Sequence, residues 1–123
     1  MHLNHLHLCV PDVAAVSAFF VRHFGFRLHE TRGNNGFASL AGDAGFVLVL
    51  MKLSANVAPE QAYPPMFHVG FLLGDESQLA PVHAGLMADG HEPSDIELMR
   101  GARRFYCKAP GGLFVEVGHE PQS

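Results

Sequence analysis

The chain has 123 residues, about the length of one domain, and is 48% hydrophobic and 16% charged, a balance typical of globular proteins. Eight basic against twelve acidic residues give a net charge of −4, which excludes the basic footprint of a protein that binds nucleic acid or an anionic membrane. The longest apolar run, residues 45–51, is far shorter than the roughly 20 residues of a membrane span. We therefore expect a cytoplasmic protein.

The first half of the chain predicts one strand, one helix and three further strands. In the first segment, Leu6 and Leu8 share one strand face while His5 and His7 share the other. The predicted elements are a strand at 3–10, a helix at 13–23 that is capped by Asp12 and ends near Gly25, and strands at 26–31, 37–40 and 45–51.

The second half predicts the same order of elements. Its segments are a strand at 66–73, a helix at about 77–88 capped by Asp75, and strands at 92–99, 103–108 and 113–118. The first residue of this helix is not determined, because Pro81 is tolerated only near the first turn of a helix. Sliding the sequence by 63 residues places His5 on His68 and Asp12 on Asp75. We therefore predict one domain over 1–123, with modules at about 1–52 and 66–118 and a linker at 53–65.

Nine histidines are an excess for a chain of this length, and histidine is the commonest metal ligand. Five of them are predicted to lie at the surface or at the termini: His2, His23, His29, His83 and His119. The two cysteines, Cys9 and Cys107, have no metal-ligand spacing and are predicted to be small buried side chains.

Three side chains combine the residue types of a metal site. His5, His68 and Glu116 each lie mid-strand among apolar neighbours, where an unpaired carboxylate is unfavourable, so Glu116 requires a cation. Two imidazoles and one carboxylate form the facial ligand set of non-haem Fe(II), which leaves positions on the metal open. The residues alone leave another interpretation open, in which the histidines bond to backbone carbonyls and Glu116 faces solvent.

The same segments resemble the vicinal oxygen chelate superfamily of glyoxalases, bleomycin resistance proteins and extradiol dioxygenases. Residues 4–12 (NHLHLCVPD) are similar to its first strand, which includes a metal-binding histidine at His5. Residues 105–112 (FYCKAPGG), followed by Glu116, are similar to its closing motif of Tyr, Pro-x-Gly and a glutamate ligand. The resemblance covers essentially the whole chain.

The resemblance implies an α+β fold of two βαβββ modules that form a curved sheet, paired in a homodimer whose sites are completed across the interface. It implies that His5, His68 and Glu116 hold one divalent metal, with Fe(II) as first choice and Mn, Ni, Co or Zn as alternatives. Val49 stands where glyoxalase I carries a fourth, carboxylate ligand, which leaves three ligands.

Three further residues receive predicted roles. His7 lies on the face of His5 and is the predicted general acid or base. Tyr106 is the predicted hydrogen-bond donor, and Arg104 the predicted substrate-binding cation. The alternatives are that His7 only contributes to packing and that Arg104 belongs to a solvated basic edge.

We therefore predict a divalent-metal-dependent enzyme of the glyoxalase or dioxygenase type that acts on a small substrate with vicinal oxygens. Its activity is expected to be dioxygenase-like or that of a related lyase or isomerase. The alternative is a metal-independent protein of the bleomycin-resistance type, which sequesters a drug-like molecule in the same cavity. The expected partners are a small molecule and a second copy of the chain, without nucleic acid or membrane.

Overall fold

A computed structural model of the chain describes residues 1–120 and forms two compact units, residues 1–64 and the residues from Pro65 onward. The first unit consists of β1 His5–Val10, α1 Val13–Phe24, β2 Arg27–Arg32, β3 Phe37–Ala41 and β4 Val47–Lys52. The second consists of β5 His68–Leu73, α2 Leu79–Ala88, β6 Glu97–Met99, β7 Ala102–Lys108 and β8 Phe114–His119. The predicted α+β class with two βαβββ modules is confirmed.

The two sheets have the same topology. The strand order is β1-β4-β3-β2 in the first unit and β5-β8-β7-β6 in the second. In each sheet the first strand pairs in parallel with the last, and the other neighbours are antiparallel. The fourth strand of each unit is therefore flanked on both sides, which places β8 in the interior of its sheet.

The first unit buries one face of its sheet against α1. Leu8 and Leu50 are buried, whereas His5 and His7 on the opposite face of β1 are exposed. The helix begins after Asp12, whose Oδ1 accepts hydrogen bonds from the Ala15 N–H at 3.1 Å and from the Asn35 side chain at 3.1 Å. It ends at Gly25, whose φ of 74° is the left-handed conformation that glycine adopts most easily.

The second helix begins later than predicted. A short 3₁₀ turn, Glu76–Gln78, precedes α2, and the Asp75 N–H donates to the Gln78 side chain at 3.1 Å. Pro81 then falls in the first turn of α2, where its missing N–H leaves no helical hydrogen bond unmade. Neither α-helix in residues 1–120 is long and apolar enough to cross a membrane.

The predicted strand at 92–99 is wrong for most of its length, because only Glu97–Met99 is a strand. Glu92 has a φ of 53°, which interrupts extended backbone, and Pro93 has no N–H to donate. Ser94 still contacts β7, because its N–H donates to the Tyr106 carbonyl at 2.8 Å and its Oγ accepts from the Tyr106 N–H at 2.8 Å.

One prediction of burial is wrong. Cys107 is buried as expected, but Cys9 is exposed because it shares the face of His5 and His7. His119, predicted at the surface or a terminus, lies near the end of the described residues and is 4% exposed. Since β8 extends one residue beyond its predicted end, His119 shares the buried face of Val117. Its Nε2 accepts from the Arg103 N–H at 3.2 Å, and its Nδ1 donates to the Glu120 carbonyl at 2.8 Å.

Phe20 tests the core of the first unit. Its side chain is fully buried and lies 5.3 to 5.8 Å, between ring centroids, from Phe19, Phe24 and Phe26. We expect Phe20→Ala to lower the free energy of unfolding by about 3–5 kcal/mol, because the cavity it leaves cannot refill. Val21→Ala, at the neighbouring exposed position, is the control and should change it by less than about 1 kcal/mol. Urea unfolding measures both, and equal effects would contradict this description of the core.

Candidate functional site

The site of the second unit is built around a carboxylate in the middle of a sheet. Glu116 lies on β8, opposite Gly70 of β5 and Tyr106 of β7. It is 8% exposed, and both sequence neighbours, Val115 and Val117, are buried. A charge in this position must be compensated by donors within the protein.

Three side chains donate hydrogen bonds to Glu116. Its Oε1 accepts from Arg100 Nη2 at 2.8 Å and from the Tyr106 hydroxyl at 2.6 Å. Its Oε2 accepts from Arg104 Nη1 at 3.1 Å. The cation that the sequence required for Glu116 is supplied here by two guanidinium groups.

Arg100 reaches Glu116 from the hairpin turn between β6 and β7. The turn has two residues, Arg100 and Gly101, with φ values of 51° and 80°. Positive φ at both central positions is typical of a type I′ turn, which favours Asn, Asp or Gly at the first position. For arginine, the left-handed backbone conformation is less favourable than the right-handed one by about 1–2 kcal/mol. The hydrogen bond between Arg100 and Glu116 therefore forms in spite of this backbone preference.

Arg104 reaches Glu116 from within β7. It lies opposite Gly118, and a Cβ atom at position 118 would lie 3.2 Å from Arg104 Cγ. Glycine at this position therefore leaves room for the arginine stem. The Arg104 Nε donates to the Met99 carbonyl at 3.3 Å, which fixes the guanidinium plane.

Glu116 is ionised within this cluster. Its burial would by itself raise the pKa of the carboxyl, but hydrogen bonds from Tyr106 and Arg100 and the charges of both arginines act in the opposite direction and hold the pKa below its usual value. Contacts with the Tyr106 hydroxyl and with Glu116 raise the pKa of Arg100. Both partners therefore carry full charges at neutral pH.

A pocket lies beside the carboxylate cluster. It has a volume of about 290 Å³ and is lined by Met66, His68, Tyr106 and Phe114. The His68 and Tyr106 rings meet edge to face, 5.9 Å between centroids. Lys108 Nζ lies 5.1 Å from the centroid of the Phe114 ring. The lining of the pocket is apolar and aromatic, and charged groups lie next to it. Its volume is at the lower limit for small-molecule sites.

The two predicted histidine ligands have similar local hydrogen bonds. His68 Nδ1 lies 2.9 Å from the Met66 carbonyl, and His5 Nδ1 lies 2.9 Å from Asn4 Oδ1. Since both oxygens are acceptors, Nδ1 is the donor in each pair, and Nε2 takes no part in these two hydrogen bonds. Both rings are exposed.

The predicted site residues fall into two groups. His68, Arg104, Tyr106 and Glu116 lie on one face of the second sheet. His5 and His7 lie on β1 of the first unit. His7 pairs with Val49, the position at which a fourth ligand is absent.

Glu116, as the structure arranges it, does not fit a divalent metal. A carboxylate has about four acceptor positions, and hydrogen bonds occupy three of them here. A metal on this carboxylate would also lie beside two guanidinium groups. Repulsion between two unit charges 4 Å apart is about 4 kcal/mol near a protein surface. The three-ligand site therefore stays a prediction that metal analysis must test.

The predicted site residues do not include Arg100, Met66 or Phe114. The alternation of side chains along β8 places Phe114 on the face of Glu116, and this is the sequence signal that points to it. The contact between Arg100 and Glu116 depends on the hairpin turn and on strand register. The amino-acid pattern specifies neither of them, so the sequence gives no signal for Arg100.

Two successive βαβββ units are typical of the glyoxalase-type fold, and they define the structural class of this protein. The sequence model of the Glyoxalase/Bleomycin resistance protein/Dioxygenase superfamily matches residues 2–117, and the chain belongs to this superfamily. The resemblance inferred from the motifs is confirmed. The name of the superfamily covers two classes of enzyme, glyoxalases and dioxygenases, and also bleomycin resistance proteins.

Three solved structures illustrate the similarity. A possible glyoxalase from Bacillus cereus is 38% identical, with a TM-score of 0.82, over 96% of this chain and 98% of that one. A lactoylglutathione lyase from Agrobacterium tumefaciens is 18% identical, with a TM-score of 0.74, over 96% and 92%. TnmS3, an antibiotic-binding protein from Streptomyces sp. CB03234, is 21% identical, with a TM-score of 0.71, over 99% and 97%. The last two show the fold alone. No curated protein gives a significant match.

Glu116 also stabilises the second unit. We expect Glu116→Gln to lower the free energy of unfolding at pH 7 by about 2–3 kcal/mol, because it leaves two guanidinium groups without their carboxylate. Glu97→Gln, at an exposed position on the same face, is the control. Since the folded pKa of Glu116 is lowered, its contribution is complete above the unfolded value of about 4.3 and is lost as pH falls through the folded pKa. Urea unfolding from pH 7 to pH 3 measures this, and equal stability of both variants at pH 7 would contradict it.

Proposed function

We propose that the chain binds a small, mainly apolar organic molecule in the pocket of its second unit, and that this binding requires no metal. The observation that carries the proposal is an aromatic pocket lined by His68, Tyr106 and Phe114, next to a glutamate whose charge two arginines already compensate. A pocket built in this way needs no ion to be stable. TnmS3, which has the same fold, is an antibiotic-binding protein, and this supports a binding role for the pocket.

Phe114 supplies much of the apolar wall, so Phe114→Ala tests the proposal. Burying an aromatic side chain against a ligand is worth about 1.5–3 kcal/mol, so the dissociation constant should rise at least tenfold. The probe is 2-naphthamide, a neutral aromatic molecule, titrated by calorimetry into protein treated with a chelator. Leu98→Ala, at a strand position 72% exposed and outside the pocket lining, is the matched control. Lack of binding, or equal loss in both variants, would contradict the proposal.

The second candidate is the metal-dependent enzyme of the glyoxalase or dioxygenase type. One observation favours it: the Nδ1–H of His68 and that of His5 are each held by an oxygen, and this arrangement orients the Nε2 of metal-binding histidines in many proteins. In this candidate His5, His68 and Glu116 would hold the metal, and His7 would move a proton. Arg100 and Arg104 would have to release the carboxylate first.

Elemental analysis distinguishes the two candidates. The metal-dependent candidate predicts about one Fe, Mn, Ni, Co or Zn per chain, lost in His5→Ala, His68→Ala and Glu116→Ala and retained in His29→Ala, which alters an exposed histidine of β2. Our proposal predicts no stoichiometric metal and full binding of 2-naphthamide by chelator-treated protein. After anaerobic loading with Fe(II), oxygen uptake upon addition of catechols would favour the dioxygenase branch of the second candidate.

The predictions of domain organisation, oligomeric state and cellular location remain proposals. Residues 1–123 are proposed to act as one functional domain, and two copies are proposed to form a homodimer that completes the sites, in the cytoplasm. Light scattering of the purified chain measures the oligomeric state. A monomer that binds the aromatic probe with full affinity would contradict completion of the site by a second copy.

A further inference from the structure

The charges around Glu116 are not balanced. The Arg104 side chain is 15% exposed. Its Nε donates to the Met99 carbonyl and its Nη1 to Glu116, so these two donors are used within the protein. One buried guanidinium is enough to neutralise one carboxylate. Arg100 therefore brings a second positive charge to a carboxylate that is already paired.

Arg100 can offer this charge to a ligand. Its side chain is 63% exposed, and the guanidinium group has five N–H donors in a planar fork. The Nη2 atom contacts Glu116 Oε1 at 2.8 Å, which holds the group from one side. The rest of the fork faces solvent, so the orientation is fixed without all donors being used.

This surplus charge lies next to the pocket. The Tyr106 ring lines the pocket, and its hydroxyl donates to the same Oε1 atom that Arg100 contacts. At another wall of the pocket, Lys108 Nζ lies over the Phe114 ring. A ligand whose aromatic ring lies between His68 and Phe114 could thus direct a polar group toward Arg100 or Lys108.

The other charges on this sheet face do not reverse the sign. Glu97 lies opposite Arg104 in the strand register and is the second carboxylate of the paired strands on this face. On the paired strands of this face, Arg104 and Lys108 therefore match Glu97 and Glu116, and Arg100 of the hairpin turn adds one further positive charge. Arg103 does not contribute, because it is paired with Glu76.

We infer that the pocket ligand is an organic monoanion: an aromatic or apolar body that carries one carboxylate group, which Arg100 binds. The inference rests on the proposed function and names the chemical class of its ligand. A planar guanidinium binds a carboxylate through two parallel hydrogen bonds, whereas the apolar lining accepts the rest of the molecule. Arg100 then has two roles, since it helps to compensate Glu116 and recognises the ligand.

Paired probes of equal shape test the inference. Benzoate, phenylacetate and 2-naphthoate are each titrated by calorimetry against their primary amides, at low and at moderate salt. A charge-assisted contact favours the acids by at least about tenfold in affinity, and this preference should decrease as salt screens the exposed guanidinium. Equal affinity for acid and amide would overturn the inference.

Three variants assign the preference to a residue. Arg100→Gln should remove the preference for the acids, measured as the ratio of acid to amide affinity within that variant, whereas Arg100→Lys should retain part of it because the charge remains. Arg103→Gln removes the same charge from a residue paired with Glu76, and it should retain the full preference. If Arg103→Gln loses the preference as Arg100→Gln does, only the general charge matters and Arg100 is not the recognition residue.

The two proposals fail in different ways. If the amides bind and Phe114→Ala abolishes that binding, but acids bind no better, the proposed function stands and the anion inference is wrong. If neither acids nor amides bind, the proposed function is wrong as well. Circular dichroism of each variant confirms that it is folded, and urea unfolding of Arg100→Gln reports how much of its effect passes through Glu116.

Discussion

Much of the second unit is organised by the need to compensate one charge. Glu116 is nearly buried in the interior strand of a sheet, where an ionised carboxylate is unstable without donors. The β6–β7 hairpin, the glycine opposite Arg104 and the hydroxyl of Tyr106 all contribute to that compensation. The arrangement also explains why an arginine occupies a turn position that favours Asn, Asp or Gly.

This compensation determines how the site can be used. A carboxylate that bonds to two guanidinium groups is a poor ligand for a divalent ion, because the ion would have to displace hydrogen bonds and overcome like charges. The same cluster gives the neighbouring pocket an aromatic wall with positive charge at its edge. The sheet thus supplies the position of Glu116, and the proposed ligand chemistry depends on the arginines that surround it.

Duplication gives the two units the same topology but not the same chemistry. Each unit places a histidine at the corresponding strand position, His5 in β1 and His68 in β5, with an oxygen on its Nδ1. On the last strand, however, Val49 in the first unit contrasts with Glu116 in the second. The second unit alone, among residues 1–120, carries the buried carboxylate, and its polar cluster has no counterpart at Val49.

The amino-acid sequence by itself determined the element order, the duplication, the strand faces and the superfamily, because hydrophobic periodicity, capping residues and closely spaced motifs are local features. It also placed Glu116 where a cation was required. Only the tertiary structure decided that Arg100 and Arg104 supply that charge, because strand register and turn geometry set which side chains meet. The same holds for His119, whose burial depends on one additional residue of β8.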